Sequence, residues 1–220
     1  MMRHFVSYPK SGRTWIRYIL VQLGVDDQIL FHHDGFEFND GSLPPHNFDL
    51  SQRLEKYARV EKLVYLERDP RDVMVSLYFQ ITGRFKDFFG YKGSLSEFIR
   101  DDYFGAGNLR HFRAMWKEFT DKQQFLTISY EECHRDTVKT LDKILNYYGF
   151  KIDAPQLVDA IKNADFSRMK QLEESGSFPH PWLQPRQGSP KVRQGKVGGF
   201  RDVLNADDIR YLDDIFFSDR

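Results

Sequence analysis

Cysteine is almost missing: of 220 residues, only Cys133 carries a thiol. A single thiol excludes an internal disulfide and any cysteine-based zinc cluster, and it suits a reducing, cytoplasmic setting. Net charge is missing as well, with 32 basic and 32 acidic side chains. Nothing global therefore draws the chain to nucleic acid or to an anionic membrane, and any affinity for anions has to come from local clustering. No apolar run approaches the roughly 20 residues that a membrane helix needs. The opening "MMRHFVSYPK" has no hydrophobic signal region. A strand pattern begins so early that no presequence is expected. Internal repeats and heptad arrays are not found. The expectation is a chain with neither a nucleic-acid partner nor a membrane one.

Aromatic bulk is plentiful, with 20 Phe and 11 Tyr in a chain that is 40% apolar. That supports a real core, and the length suits one α/β domain spanning residues 1–220 better than two. "HFVSY" (4–8) reads as a strand that Pro9 ends, because proline cannot donate to a sheet ladder. "TWIRYILVQLG" reads as a helix, with Ile16, Ile19, Leu20 and Leu23 at helical spacing and Gly24 at the C-terminal cap. "VEKLVYLE" (60–67) has the continuous apolar run of a buried parallel strand. A helix then starts, with Asp69 as N-cap and Pro70 at its first position. "QQFLTISY" is a third strand; residues 26–52 show no sustained period. Helices are expected in "SLSEFIRDDYF", "NLRHFRAMWKEF", "DTVKTLDKILNYYG", "APQLVDAIKNA" and "NADDIRYLDDIF", with Asp136 and Asp153 as caps. Strands alternating with helices imply a parallel β-sheet flanked by helices on both faces. Residues 175–199 hold four of the nine prolines and five glycines, an irregular stretch long enough to be a lid or a disordered loop.

Three segments carry features that suit anions. "YPKSGRTW" (8–15) joins the first strand to the first helix, so its amides and the helix N-terminus point at one spot. Gly12 permits close backbone approach, Ser11 and Thr14 add hydroxyls, and Lys10 adds a charge. A nucleotide P-loop places its lysine after the second glycine, whereas Lys10 precedes the only glycine here. An ATP- and magnesium-dependent site is therefore disfavoured. Arg68 emerges at the C-terminal end of the second strand, with Ser76 two turns into the next helix, a pairing suited to a second phosphate. From Arg186 to Arg201 there are five basic residues and no acid. Each feature alone has a plainer reading: a solvated turn, an Arg68 paired with Asp69 or Asp72, an exposed basic loop. Three of them in one small α/β chain weigh more.

Together these residues resemble the sulfotransferases that use 3′-phosphoadenosine 5′-phosphosulfate (PAPS). "YPKSGRTW" is similar to their 5′-phosphosulfate loop, "YLERDPRDVMVSLY" to their 3′-phosphate motif, and "RQGKVGGFRD" to their C-terminal glycine-rich segment. The resemblance implies a P-loop-NTPase-like sulfotransferase fold. It implies Lys10, Ser11, Gly12, Arg13 and Thr14 around the 5′-phosphate, and Arg68, Ser76 and Arg193 on the 3′-phosphate with Gln194 and Gly195 assisting. Trp15, Tyr130 and Phe166 would face adenine, and each could equally be core. The implied reaction moves a sulfuryl group to a small-molecule alcohol, phenol or amine and releases adenosine 3′,5′-bisphosphate (PAP), without a metal. His46, twenty-two positions before Arg68, agrees with the family's spacing for a general base. His32, His33, Asp34 and Glu37 are rivals for that role, and the paired histidines give only a faint hint of a metal site. The chain departs from the family at Arg13, Gln194 and Pro44, and it gives no sign of its oligomeric state. A nucleotide or nucleoside kinase and a non-catalytic nucleotide-binding protein are the alternative readings.

Overall fold

The computed structural model of the chain describes residues 2–178 and 180–218. Four strands, β1 (Arg3–Ser7), β2 (Leu30–His32), β3 (Lys62–Glu67) and β4 (Leu126–Ser129), form a parallel sheet in the order β2-β1-β3-β4. The helices in chain order are α1 (Arg13–Gln22), α2 (Leu50–Lys56), α3 (Pro70–Phe79), α4 (Lys86–Phe89), α5 (Leu95–Arg100), α6 (Ala106–Gln123), α7 (Tyr130–Arg135), α8 (Thr137–Tyr148), α9 (Ala154–Asn163), α10 (Phe166–Glu174) and α11 (Ala206–Phe217).

The central strands are apolar on both sides because both faces are covered. Side chains alternate across a strand, so one strand feeds two cores. In β3, Leu63 and Tyr65 point into a cluster with Val73 and Leu77 of α3 and with Phe112 and Trp116 of α6. Its neighbours Val64 and Leu66 point the other way, to Ile16 and Ile19 of α1 and Leu141 and Ile144 of α8. In β1, Val6 joins the first cluster and Phe5 the second. This is the three-layer α/β arrangement that the alternation of strands and helices implied.

Helix starts follow local chemistry. The Asp69 side chain accepts from the Arg71 amide at 2.9 Å and Pro70 follows it, as the sequence indicated. Asp136 and Asp153 cap α8 and α9 in the same way. Several elements differ from the sequence reading, α4 and α10 among them. Residues 26–52, which lack a sustained period, contain β2 and α2; β2 is three residues long, too short to display alternation. Tyr130, read as the end of a strand, instead opens α7 after Ser129 caps it.

Of the 175–199 segment, all but Pro179 is described. It is strapped to the rest by buried acceptors and donors. Glu173 accepts from the Lys191 and Val192 amides, the latter at 2.9 Å. Arg84 donates to the Ser189 and Gln184 carbonyls at 3.2 and 3.0 Å. Asp72 accepts from the Gly198 and Phe200 amides at 2.8 and 2.9 Å.

Candidate active site

All four strands hand their next residues to one cavity of about 1000 Å³ at the C-terminal edge of the sheet. After β1 come Lys10 and Gly12, after β2 comes His33, after β3 comes Arg68, and after β4 comes Tyr130. Parallel sheets present ligand contacts at this edge. The 175–199 strap closes the far wall with Trp182, Lys191, Arg193 and Gly195.

The loop after β1 is held in an unusual backbone shape. Lys10 sits at φ 73°, in the left-handed region that a residue with a side chain seldom occupies. The Arg68 guanidinium fixes that turn by donating to the Lys10 carbonyl at 3.1 Å and to the Lys196 carbonyl at 3.1 Å. Gly12, at φ 97°, lies flat on the Tyr130 ring; a Cβ there would collide with the ring, so only glycine fits. Arg68 also lies over the Tyr130 ring, 4.4 Å from its centre. Asp72 stands 3.6 Å from Arg68 and ties the 198–200 turn to α3. Distant pieces of chain are thus locked around one point.

The positive charge at that point is crowded. Burial, then Lys191, Arg84, Arg68 and Arg193, hold the Lys10 amine well below its ordinary lysine value. Burial, Arg84 and Arg13 bring Lys191 down to about 8. Among the described residues, neither amine has a hydrogen-bond or ion-pair partner, although both line the cavity. Such a concentration of cations favours an anionic ligand, which would relieve their mutual repulsion.

His33 has the geometry of a proton acceptor. Its Nδ1 lies 2.7 Å from the Ser7 carbonyl, which can only accept, so Nδ1 carries the proton and Nε2 keeps its lone pair. Its backbone amide donates to Glu37 at 2.7 Å. Burial, followed by Arg13 and Lys191, keeps the imidazole neutral well below the usual histidine range, against the pull of the Ser7 bond. His32 is different: one nitrogen accepts from the Asp34 amide at 3.2 Å and the other is 3.0 Å from His4. Asp34 itself is consumed by Arg53, Lys56 and Tyr57 at 2.9, 2.8 and 2.5 Å. Among the described residues, no group of three His, Cys, Asp or Glu side chains is placed to hold a metal ion.

Most residues singled out in the sequence meet here. Lys10, Gly12, Arg13, Thr14 and Trp15 line the cavity, as do Arg68 and Ser76 on the β3 side. Tyr130, Phe166, Arg193, Gln194 and Gly195 line it too. The Phe166 ring lies so close against Gly195 that a Cβ there would strike it. Trp15 is pinned by donating to the Ala164 carbonyl at 3.1 Å and packs on His134 at 4.7 Å. Ser11, His46, His32 and Asp34 do not line the cavity. Ser11 is buried beneath the loop, its amide bonded to the Tyr8 carbonyl at 3.3 Å. His46 is not at the cavity wall: it stacks on Tyr103 at 4.2 Å, with Phe36 and Phe48 about it. The physical reason is β2. Its end puts His33 at the sheet edge, and the chain from 34 to 49 then carries His46 away into aromatic packing. Sequence reasoning missed Lys191, Arg17, Gln80, Arg84 and His134 as lining residues. The dense basic stretch from Arg186 was the signal for Lys191. Gln80 and Arg84 depend on a π-helical turn (Gln80–Arg84) after α3, which has no sequence marker.

A strand-end cation cradle on a parallel sheet suits an anionic group, and the comparisons with known proteins point to one family. The Sulfotransferase domain model matches residues 57–218, and the chain belongs to that family of enzymes. Sulfotransferase 2A1 of Rattus norvegicus is 26% identical over 96% of this chain and 81% of its own length. The 3-alpha-hydroxysteroid sulfotransferase of Cavia porcellus is 24% identical, covering 96% of this chain and 80% of its own. Among solved structures, mouse sulfotransferase SULT7A1 complexed with PAP superposes with a TM-score of 0.69 at 19% identity, covering 97% of this chain and 82% of that one. Retinol dehydratase in complex with androsterone and PAP gives 0.64 at 17% identity, covering 98% and 80%. The fold is that of the sulfotransferases.

Proposed function

We propose that this chain moves a sulfuryl group from PAPS to a hydroxyl or amine of a small-molecule acceptor and releases PAP. The observation that carries the proposal is the convergence of three sequence-distant segments, 8–15, 68–76 and 193–199, on one cavity crowded with cations. The residues fit the donor. Gly12 lets the loop pack directly on Tyr130, where any Cβ would strike the ring. Among the described residues, the Arg68 Nε is buried without a hydrogen-bond partner and the Lys10 amine lines the cavity unpaired. Lys10 with the Gly12–Thr14 amides would hold the 5′-phosphate, and Arg68, Ser76 and Arg193 the 3′-phosphate. Trp15, Tyr130 and Phe166 would hold the adenine. When bound, the donor supplies the activated sulfuryl group for in-line displacement.

The chain's own residues supply positioning and charge. His33 takes the acceptor proton on Nε2, while its Nδ1–H stays on the Ser7 carbonyl and fixes the ring. The choice of His33 over His46 rests on the cavity wall, where His33 stands and His46 does not. Lys10 stabilises negative charge that develops on the leaving phosphate. Phe38, Phe85 and Phe88 give the acceptor end aromatic walls. The chain acts as one domain, residues 175–199 form the lid over both ligands, and the cytoplasm is the setting. No helix among the described residues is long and apolar enough to cross a membrane.

The test is a competition among nucleotides in the Arg68→Ala variant. Its affinity for PAP should fall by about tenfold or more, the size of one charge-assisted bond. Its affinity for AMP, which lacks the 3′-phosphate, should change little. Equal losses for both would remove Arg68 from the 3′-phosphate.

A further inference from the structure

We propose that the cavity holds a second anion subsite beside His33, built from Lys191, Arg17, the Arg13 guanidinium and the indole N–H of Trp182, and that it takes an anionic group carried by the acceptor itself. The proposal rests on the sulfotransfer reading for what the ligand does there; the subsite is read from donors that lack acceptors.

Arg13 and Arg17 lie one turn apart on α1, so their side chains share a face. Both line the cavity, together with Trp182 and Lys191 of the 175–199 strap. The Arg17 guanidinium sits over the Trp182 ring at 4.8 Å and over Phe31 at 4.9 Å, which seats the strap against α1. Among the described residues, Arg13 Nη1, Arg17 Nε and Trp182 Nε1 are all buried without a hydrogen-bond partner. A buried donor left unpaired is destabilising, and all three belong to residues that line this cavity. The Lys191 backbone is fixed by Glu173, while its amine has no partner among the described residues. Arg13, Lys191 and His33 line the same cavity, and both cations help to hold the His33 imidazole neutral.

Among the described residues, the acids that act on this group are few: Glu37 on Arg13, Asp26 on Arg17 and Glu173 on Lys191, fewer than the cations gathered there need. Asp72 is committed to two amides and Arg68. Asp165 caps α10 through the Ser167 and Arg168 amides. Glu37 accepts from the His33 amide. Arg17 reaches Asp26 at no closer than 3.8 Å. The donor's phosphates are served by Lys10, Arg68 and Arg193. The remaining cations exceed what the donor needs. With Phe38, Phe85 and Phe88 nearby, they suit a hydroxyl- or amine-bearing aromatic or apolar molecule that also carries a carboxylate, sulfate or phosphate. A neutral sterol-like acceptor would leave these charges buried and unpaired.

The experiment uses the whole protein saturated with PAP and reads melting temperature against two matched probes, phenylacetate and its neutral isostere phenylacetamide. A third arm uses inorganic sulfate. The expected result is a saturable rise with phenylacetate and little with the amide. Lys191→Met should weaken phenylacetate about tenfold or more, with PAP affinity unchanged and the fold intact, since removing a crowded cation relieves repulsion. Arg17→Met should act in the same direction. Equal binding of acid and amide overturns the proposal, as does a Lys191→Met variant that binds phenylacetate normally. A Lys191-dependent response to sulfate alone also overturns it, because those cations would then serve the transferred group. If PAP fails to bind the wild type, the sulfotransfer reading falls by itself. Phenylacetate added without PAP still reads the subsite.

Discussion

The two ends of the cavity are built on opposite electrostatic terms. At the Arg68 end, charge is braced. Arg68 has two carbonyls at 3.1 Å and Asp72 at 3.6 Å, and Lys196 pairs with Asp202 at 2.6 Å. At the His33 end, charge is loose. Among the described residues Lys191 has no partner, and the Arg13 and Arg17 guanidinium groups each keep a buried, unpaired nitrogen. Braced cations are preorganised for a group of fixed shape, and loose ones depend on the ligand to complete their bonds. The braced end is where a constant nucleotide belongs, and the loose end is where the acceptor would enter.

Breaking the His33 end should have the largest effect on turnover. His33→Ala should lower kcat by about a hundredfold to ten-thousandfold, the range for a positioned general base, while PAP binding persists. His46→Ala should leave kcat near wild type and lower melting temperature instead, because it removes a ring stacked on Tyr103. Steady-state rates for the two variants would reverse the assignment if His46 proved to be the sensitive one. Lys10 lies between the two ends. Lys10→Ala should cut turnover by roughly a hundredfold or more, and an unchanged rate would remove its amine from the mechanism.

How legible each end is in the sequence follows from how it is assembled. The braced end is carried by contiguous motifs, so "YPKSGRTW", Arg68 with Ser76 and "RQGKVGG" stand out along the chain itself. The sheet is legible where strands are central: β1 and β3 are buried on both faces and read as apolar runs. The loose end is put together from single residues on β2, α1, the π-turn and the strap. With β2 only three residues long, no pattern announces that His33 lies at a strand end. The spacing between His46 and Arg68 imitates the family's pattern, but contour length along a loop does not fix where a side chain points. Tertiary placement decides it.

The smallest effect concerns pH and sharpens the same contrast. Lys191 titrates near 8 in the fold and near the ordinary 10.5 when unfolded, so in that interval the unfolded chain binds more protons. Stability of the unliganded protein should therefore rise with pH across this window. Lys10, displaced in the same direction, adds to it. Several buried tyrosines and Cys133 are shifted upward by burial, and their contributions are lost above about pH 10 and about pH 9, so the comparison belongs between about pH 7.5 and 8.5. Melting temperature should increase by about 2–4 °C over that range. Saturating PAP should remove only the part of the rise that Lys10 contributes, and leave the part due to Lys191.

The central claim is a cradle for an adenosine with phosphates at both its 3′ and 5′ ends. A thermal-shift titration of the wild-type protein with PAP and with AMP tests it most directly, since a ligand that prefers the folded state raises the melting temperature by mass action. The account predicts a large, saturable rise with PAP at concentrations where AMP gives little. Equal shifts with the two nucleotides, or none with either, would contradict it.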